Sequence, residues 1–337
     1  MLRVTRRTGE TVTIEESTLV AGKTVPAAPA RRPGPSVPAV AAEELEEIAA
    51  RAWPPLESER LGDWTLRAAG GFTRRANSVL VAGDPGVPAA EALRRVVAWY
   101  GERGLTPWLQ VPDSSPYGPD LDAAGWTREA ETVVRVAPLA PLTSLPDAGE
   151  AGAAAAAAGA SEAGASGAAP ASGAVRPGIR SPGLGPVRVA REIDARWLAA
   201  YHLTGGLAEA AVQVVTGGAS VWFASVAAPG AEATPGAEAT PGAEAAPGAE
   251  AGAGAVAIGR AVVDGRWALF GAVEVPAALR RRGLATAIMG ALARQAYAEG
   301  ATAAYLQVEA DNTAARALYD RLGFTDHHTY CYRRPGA

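Results

Sequence analysis

Two long stretches of small residues divide the chain and limit what it can fold into. Residues 147–183 consist mostly of Ala, Gly, Ser and Pro, and residues 229–251 repeat a six-residue unit that begins Pro-Gly-Ala-Glu. Ordering a backbone costs about 1–2 kcal/mol per residue, and these stretches offer little apolar surface to offset that cost. The Pro-Gly pair in each repeat also interrupts any helix or strand. We therefore expect both stretches to be disordered, the first as a linker and the second as a surface-loop insertion.

The chain as a whole has the composition of a folded protein and only a small net charge. The chain has 337 residues, of which 48% are hydrophobic, and its formal net charge is −4. A length of this kind corresponds to about two domains. A dedicated nucleic-acid binder carries a basic face, so the near-neutral charge predicts no nucleic-acid partner. Cys331 is the single cysteine and no apolar run reaches the length of a membrane span, which predicts a cytoplasmic protein without a membrane partner.

A segment near the start of the chain, LRVTRRTGETVTIEE, alternates apolar and polar residues around a Thr-Gly pair. This pattern predicts a β-hairpin within residues 1–27. A lone hairpin is only marginally stable in water. It is therefore expected either to dock on the rest of the chain or to be the remnant of a small barrel whose earlier strands precede residue 1. Residues 28–36 are predicted to be a linker.

Residues 37–142 alternate helical and strand patterns over a normal domain length. Helix 42–52 precedes a strand WTLRA, a turn GGFTRRANS and a strand SVLVAG, and helix 88–102 follows. The segment closes with a strand TPWLQVP, a short helix ending in LDAAGW, and a strand ETVVRVAPL. This order predicts an α+β domain, which the linker at 143–184 joins to the rest of the chain.

Residues 185–337 form a second α+β segment, with strands on both sides of the repeat insertion at 228–254. A hairpin loop can lengthen at a small entropic cost, so the position of the insertion supports both strands. Helix 284–298, a strand AAYLQVEA, helix 312–321 and a closing strand HHTYCYRR follow. The apolar residues of helix 284–298 recur at helical spacing and predict one buried stripe.

A basic turn precedes helix 284–298. A helix N-terminus leaves backbone N–H groups unpaired and carries about half a positive charge, and the glycine before it lets an anion approach closely. The turn therefore predicts a diphosphate site, although an ordinary capped helix with a solvated basic turn is the alternative. Neither a Walker loop nor a GxGxxG motif occurs in the chain. The candidate binding residues are Arg280, Arg281, Arg282, Gly283, Leu284, Ala285 and Thr286.

Two motifs in this segment resemble the acetyl-CoA-binding core of the GNAT N-acetyltransferase superfamily. Arg280, Gly283 and Ala285 fill the positions of its [RQ]-x-x-G-x-[GA] loop. A second signature is filled by Asn312, Ala315, Leu318, Tyr319, Gly323 and Phe324. The resemblance covers residues 185–334 and implies acetyl-CoA as co-substrate, direct transfer of its acetyl group to a primary amine, and no metal.

The first segment has a similar rhythm, with AAGW where the second has RLGF, but GDPGVPAAE replaces the basic loop. We therefore predict a mixed, largely antiparallel sheet flanked by helices, built from two tandem GNAT-like domains and the N-terminal hairpin. The first of these domains is predicted to be degenerate. The stretch WTLRAAGGFTRRANSV looks like a recurring feature of tandem bacterial GNAT proteins.

Acyl transfer to a protonated amine needs a general base. Glu274, on the strand that enters the basic turn, is the first candidate, with a solvent-facing or salt-bridged role as the alternative. Glu309 is the second candidate. Gln307 stands where GNAT ribosomal-protein alanine acetyltransferases carry a catalytic Glu, and an amide cannot act as a base. That specific activity is therefore not expected here.

The resemblance makes Tyr319 the general acid that protonates the departing CoA thiolate, although it could instead be a packed core tyrosine. It implies that Asn312 and Ala315 lie at the pantetheine, where Asn312 can also cap its helix. Val273 and Val275, on the splayed strand, are implied to lend backbone groups to the pantetheine amides. A strand amide there would hold the acetyl oxygen.

Other conspicuous residues predict less. His327, His328 and Cys331 lie close together on a closing strand, but without the paired spacing of a metal site. Three aromatic residues are candidates to line a cleft that faces the catalytic half: Trp64, Phe72 and Trp108.

Three functions remain open from the sequence. The favoured one is an acetyl-CoA-dependent N-acetyltransferase acting on a small-molecule or peptide amine, with the degenerate half as scaffold and part of the acceptor pocket. The second is a tandem GNAT enzyme that acetylates a thiol-precursor amine, as mycothiol synthase does. The third is a non-catalytic module that senses acyl-CoA. No patch in the sequence identifies the acceptor.

Overall fold

The computed structural model describes six ranges of the chain. They are residues 2–5, 11–14, 36–147, 185–201, 208–227 and 255–336. Nearly all of the predicted linker at 28–36, most of the linker at 143–184 and all of the repeat insertion at 228–254 lie outside the described residues. Residues 143–147 are described, and Leu145 among them packs against the core of the C-terminal half.

The N-terminal hairpin strands are present as predicted. Strand β1 (Leu2–Thr5) pairs antiparallel with β2 (Thr11–Ile14), with Leu2 opposite Ile14. Residues 1–34 form one compact unit and residues 35–337 form another. The interpretation of the hairpin as the remnant of a barrel stays a prediction.

The first half of the larger unit contains the predicted helices and strands in their predicted order, together with two further elements. Its elements are α1 (Ala42–Ala52), β3 (Glu57–Leu61), β4 (Trp64–Ala68), β5 (Val79–Leu80), α2 (Ala89–Glu102), β6 (Leu109–Pro112), α3 (Gly118–Ala123), β7 (Trp126–Pro138) and α4 (Leu139–Leu142). Strand β3 and helix α4 were not predicted. A short 3-10 turn, Arg74–Ala76, lies between β4 and β5.

The second half also follows the predicted order. Its elements are β8 (Val187–Ala190), α5 (Ala195–Ala200), α6 (Glu209–Thr216), β9 (Val221–Ala227), β10 (Ala255–Asp264), β11 (Trp267–Glu274), α7 (Leu284–Ala298), β12 (Ala303–Glu309), α8 (Thr313–Arg321) and β13 (Thr325–Pro335). A 3-10 turn, Ala277–Leu279, lies between β11 and α7.

Eleven strands of the larger unit form one mixed sheet in the order β3-β4-β5-β6-β13-β7-β12-β11-β10-β9-β8. Two neighbouring pairs, β5 with β6 and β11 with β12, are parallel, and the other pairs are antiparallel. The predicted α+β class with a largely antiparallel sheet is confirmed.

The two halves exchange their last strands. Strand β7 of the first half pairs with β12 of the second, and β13 of the second half pairs with β6 of the first. Val133 and Ala137 of β7 therefore lie in the core under α7, while Cys331 of β13 lies in the core of the first half. Neither core is complete without the last strand of the other half.

Helix α7 packs closely on the sheet through its predicted stripe. Leu284, Ile288, Leu292 and Ala296 are each at most 1% exposed, which confirms the stripe. Gly259 of β10 makes the close approach possible, because a Cβ there would lie 2.4 Å from Cγ2 of Ile288. The packing fixes where the first turn of α7 meets the end of β11.

Candidate active site

Strands β11 and β12 diverge beside the start of α7. Their parallel pairing runs from Trp267 opposite Ala303 to Leu269 opposite Tyr305 and ends there. Beyond this point Ala272 adopts a left-handed φ of 50°, and the pairing of β11 with β10 shifts register. An alanine in this conformation is strained, and it bends the strand away from β12. The C-terminal part of β11 therefore lacks a β12 partner.

The basic turn between β11 and α7 presents backbone N–H groups. Arg281 and Gly283 have positive φ values of 66° and 77°, and Gly283 is the N-cap residue of α7. The first helical bond runs from the amide of Ala287 to the carbonyl of Gly283, at 3.0 Å. Within the described part of the chain, no amide of residues 281–286 donates to a backbone carbonyl. This is the arrangement that binds a phosphate at a helix N-terminus.

The side chains around the turn divide into two groups. Arg281 and Arg282 are exposed, and the Arg280 Nε donates to the carbonyl of Val275 at 3.1 Å. Leu284 is 1% exposed and belongs to the core, so only its amide is available to a ligand. Ala285 and Thr286 are half-buried. The turn therefore combines free amides with guanidinium groups, as the sequence predicts.

Helix α8 carries the candidate general acid. Asn312 caps the helix through Oδ1, which accepts from the amide of Ala315 at 3.1 Å. The half-buried Tyr319 ring lies edge-on to Phe324, with 5.8 Å between the ring centroids. Burial raises the pKa of Tyr319 to about 12. The phenol is therefore protonated at neutral pH, as a general acid must be.

Glu274 and Tyr319 belong to opposite faces of the sheet. Val273 and Tyr319 pack against the core beneath α7, whereas Ala272 packs against the aromatic cluster on the other face. Because side chains alternate along a strand, Glu274 lies on the face of Ala272. Burial, followed by the negative charge of Glu274, raises the pKa of Tyr201 in that cluster to about 12. The gap between β11 and β12 thus separates the candidate base from the candidate acid.

The first half contributes an arginine pair to this site. The Arg75 Nε donates to Gln307 Oε1 at 2.8 Å, and an Arg74 Nη lies 3.3 Å from Glu309 Oε1. Glu309, the second candidate base, is therefore ion-paired. These arginines were not among the predicted site residues. The GGFTRRANS stretch was the available signal, but it does not indicate which strand the turn contacts.

Asn77 holds the arginine turn in shape. Its Oδ1 accepts from the amides of Ala69 and Gly71 at 2.7 and 2.9 Å, and its Nδ2 donates to the carbonyls of Phe72 and Thr73. The side chain is 5% exposed. All four of its hydrogen-bonding positions are thus used to order the backbone that presents Arg74 and Arg75 to β12.

The aromatic residues proposed for the cleft differ in their placement. Trp108 lines a cleft of about 230 Å³, together with Gly71, Arg74 and Leu105. Phe72 lies 6.3 Å from Tyr201, measured between ring centroids. Trp64 is fully buried in the core of the first half, so its predicted place in the cleft is wrong. It begins β4, whose inner face packs under α2.

The histidine pair is half-buried and contacts the buried Glu46. His328 Nε2 lies 2.8 Å from Glu46 Oε1, and the two histidine Nδ1 atoms are 2.7 Å apart. Glu46 also contacts Gln110. Cys331 is buried, which raises the pKa of its thiol. Among the described residues, no group of three or more His, Cys, Asp or Glu side chains could hold a metal ion.

The start of α2 contrasts with the start of α7. Pro85 and Pro88 lack an N–H group, and Asp84 Oδ1 accepts from the amide of Gly86 at 2.8 Å. A carboxylate and two prolines at this position disfavour a phosphate. This local chemistry supports the interpretation of the first half as degenerate.

Comparison with known proteins identifies the family. The profile of a family described as "Probable histone acetyltransferase Rv0428c C-terminal" matches residues 41–158 and 175–333. The chain belongs to this family. Its match spans both halves, and the GNAT superfamily predicted from the basic loop and the Tyr319 signature is thereby supported.

Individual members and relatives match shorter segments. The chain is 36% identical over 129 residues to "Probable histone acetyltransferase Rv0428c" of Mycobacterium tuberculosis, a match to 38% of this chain and 39% of that protein. It is 34% identical over 77 residues to "Uncharacterized N-acetyltransferase YobR" of Bacillus subtilis, a match to 23% of this chain and 30% of that protein. The chain thus matches about a third of the length of these curated relatives.

A solved structure supports the GNAT fold over most of the chain. The GCN5-related N-acetyltransferase from Kribbella flavida superposes with a TM-score of 0.54 over 88% of this chain and 96% of its own. Its identity of 14% makes this evidence for the fold alone. The predicted GNAT-like sheet is confirmed. No helix in the described residues is long and apolar enough to cross a membrane.

Proposed function

We propose that this chain transfers the acetyl group of acetyl-CoA directly to a primary amine. The observation that supports it best is the junction of β11 and α7, where unpaired amides and a basic turn meet a strand gap. Candidate acid and base groups lie on either side of that gap. Acetyl-CoA is the co-substrate that the superfamily uses, and it would place the reaction in the cytoplasm.

The diphosphate of acetyl-CoA fits the basic turn. The amides of residues 281–286 would bind its oxygens, and Arg281 and Arg282 would add positive charge. Backbone groups of Val273 and the amide of Val275 would pair with the pantetheine amides, because β12 does not use them. The carbonyl of Val275 already accepts from Arg280. Asn312 and Ala315 begin the helix on the other side of the gap, where the pantetheine would pass.

The reaction then removes two protons from the nitrogen and adds one to the sulfur. Neutralising a lysine-like amine of pKa about 10.4 at pH 7 costs on the order of 4–5 kcal/mol, so Glu274 would accept a proton from the amine, directly or through water. The neutral nitrogen attacks the acetyl carbon, the carbon–sulfur bond of the resulting intermediate breaks, and the nitrogen releases its second proton, which restores the phenol of Tyr319 through water. Tyr319 would give its proton to the departing thiolate, and a strand amide would stabilise the oxyanion.

The position of Glu274 supports it as the base. Glu309 lies 3.3 Å from an Arg74 Nη, and its side chain is 53% exposed. Glu274 lies on the half-buried end of β11, beside the buried Tyr201. Glu274 is the last residue of β11, beyond the point where β11 and β12 stop pairing, and so lies beside the strand gap.

The acceptor would enter from the face that carries Glu274. Arg74 and Arg75 lie on this face, so the first half supplies part of the acceptor wall. The family name suggests a protein lysine as acceptor, whereas two arginines on the wall favour a neutral or acidic molecule over a basic tail. A thiol-precursor amine, as in mycothiol synthesis, is one acceptor of that second kind.

An acceptor screen tests the proposal. Acetyl-CoA and the protein would be incubated with a lysine-rich histone-tail peptide, amino acids, polyamines or amino sugars, and CoA release and product mass would be followed. Acetylation that Glu274→Gln reduces would support the proposal. Binding of acetyl-CoA without CoA release for any amine or for water would overturn it and leave the acyl-CoA-sensing module.

A further inference from the structure

The end of each half contains the same short pattern. In the first half, Asp122 is followed three residues later by Gly125 and then by Trp126. In the second half, Asp320 is followed at the same spacing by Gly323 and Phe324. Nine residues after each aromatic residue, the last strand carries a buried arginine. These arginines are Arg135 on β7 and Arg333 on β13.

The strand exchange places each arginine against the helix of the opposite half. One Nη of Arg333 donates to Asp122 Oδ1 at 2.5 Å and to the carbonyl of Trp126 at 3.0 Å. One Nη of Arg135 donates to Asp320 Oδ1 at 2.6 Å and to the carbonyl of Phe324 at 2.9 Å. The two sets of contacts correspond residue by residue. We call each of them a clamp: an arginine on the last strand of one half that binds the aspartate and the aromatic residue's carbonyl of the other half.

Arg135 makes two further contacts, one with α8 and one with the start of β13. The other Nη of Arg135 donates to the carbonyl of Arg316 at 3.1 Å, and its Nε lies 2.6 Å from Asp326 Oδ1. The Arg135 side chain is 5% exposed, whereas Asp320 and Asp326 are at least half exposed. Charge-assisted hydrogen bonds to a buried, planar guanidinium are strong and geometrically specific.

The four contacts surround Tyr319. Arg316 lies one helical turn before it, Asp320 directly follows it, and Phe324 packs edge-on against its ring. The carbonyl of Tyr319 also accepts from the Phe324 amide, at 3.0 Å. The Tyr319 hydroxyl has no hydrogen-bond partner among the described residues. Its position therefore depends on the helix and ring that Arg135 holds.

In the first half, the Arg333 clamp binds a helix that carries no candidate catalytic residue. The residue that corresponds to Tyr319 is Leu121, which is 1% exposed and has no polar atom in its side chain. The Arg333 clamp there serves packing alone. The Arg135 clamp makes the equivalent contacts to α8, the helix that carries the phenol of Tyr319.

We propose that Arg135, contributed by the first half, is a positioning residue that sets the place of the Tyr319 hydroxyl at the strand gap. The inference rests on the proposed role of Tyr319 as general acid. It gives the degenerate half a direct part in the reaction, because the last strand of that half fixes the acid of the other.

A fluorine label on Tyr319 tests the positioning without an acceptor. With 3-fluorotyrosine incorporated at residue 319 alone, Arg135→Lys should shift or split its ¹⁹F resonance, because an ammonium group cannot reproduce the three directed hydrogen bonds of the two Nη groups. Arg333→Lys is the matched control, since it removes the equivalent clamp of the other half, and should leave the resonance unchanged. Asp320→Asn with Asp122→Asn repeats the comparison at exposed positions, should Arg135→Lys not fold.

Kinetics separates positioning from general loss of structure. Arg135→Lys should lower kcat for CoA release from acetyl-CoA, with water as acceptor, by about 10- to 100-fold and leave the KM nearly unchanged. In a Tyr319→Phe background it should cost little more. An unchanged ¹⁹F resonance, or the same fold-loss in both backgrounds, would overturn the inference. A Tyr319→Phe variant with wild-type kcat would instead reject the proposed acid role, while the fluorine comparison still decides the positioning.

Discussion

The Nε of Arg75 donates a 2.8 Å hydrogen bond to Oε1 of Gln307, across 232 residues of sequence. Gln307 lies on β12, one side of the strand gap, and Arg75 lies on a turn of the other half. The bond therefore joins the first half to the candidate site itself. The Arg74–Glu309 ion pair is a second contact of this kind. Residues of both halves therefore line the side of the gap from which we propose that the acceptor enters.

The general base can be identified by paired amide substitutions. Glu274→Gln should lower kcat by about 10²–10⁴-fold, the usual contribution of a positioned base. Glu309→Gln should change it little, because Glu309 is exposed and paired with Arg74. Steady-state rates of both variants with the acceptor from the screen decide between them, and a larger loss for Glu309→Gln would reverse the assignment.

Removal of the phenol should slow the departure of the thiolate. Tyr319→Phe keeps the packing on Phe324, so stability and acetyl-CoA affinity should stay near those of the wild type. We expect kcat to fall by about 10²-fold, within the range of general acid catalysis. Because the pKa of Tyr319 is about 12, the wild type should show no loss of rate from its ionisation below about pH 11. A rate that falls with an apparent pKa near 10 would contradict this.

The chain should lose stability at alkaline pH. Burial raises the pKa of Tyr100 and of Tyr201 to about 12, and both side chains are at most 7% exposed. Between pH 10 and pH 12 the unfolded state releases these protons and the folded state keeps them, so the free energy of unfolding falls as pH rises. Linkage gives a loss on the order of 2–3 kcal/mol per tyrosine over that range.

Urea unfolding at pH 8 and at pH 11 measures this loss. Tyr100→Phe also removes the hydrogen bond to the carbonyl of Arg67, so it should be less stable at pH 8. The variant should nevertheless show a smaller decrease between the two pH values. An equal decrease in both proteins would mean that Tyr100 does not contribute.

The arginine turn should be sensitive to the loss of its central amide. Asn77→Ala leaves the amides of Ala69 and Gly71 and two carbonyls without their partner, so we expect a loss of about 2–4 kcal/mol in the free energy of unfolding. Asn312→Ala, which removes one exposed helix cap, should cost about 1 kcal/mol. Equal losses in denaturant titrations would show that the turn is not held as described.

Local sequence patterns predicted the elements of the site well. Helices 42–52 and 284–298 have the predicted bounds, and α8 begins one residue after its cap, Asn312. Apolar periodicity and capping chemistry are local, so both can be found without the fold. The basic loop and the Tyr319 signature are also short, contiguous motifs, so both could be found in the sequence without the fold.

The strand exchange could not be predicted in this way. Strands β7 and β13 have similar apolar patterns, and nothing in either sequence says which half supplies its neighbour. The contacts of Arg75 and Arg135 depend on that exchange, so neither residue was found as part of the site. Trp64 shows the converse error, because an aromatic residue alone does not indicate whether it faces a cleft or a core.

We propose that the turn before α7 binds the diphosphate of acetyl-CoA. Calorimetric titration of acetyl-CoA into the wild type, Gly283→Glu and Gly300→Glu tests it most directly. Gly300 is the matched control, because it also has a left-handed φ, 94°, but follows the far end of the same helix. We expect micromolar binding to the wild type and to Gly300→Glu, and none to Gly283→Glu. Equal binding to all three folded proteins, or no binding to the wild type, would contradict it.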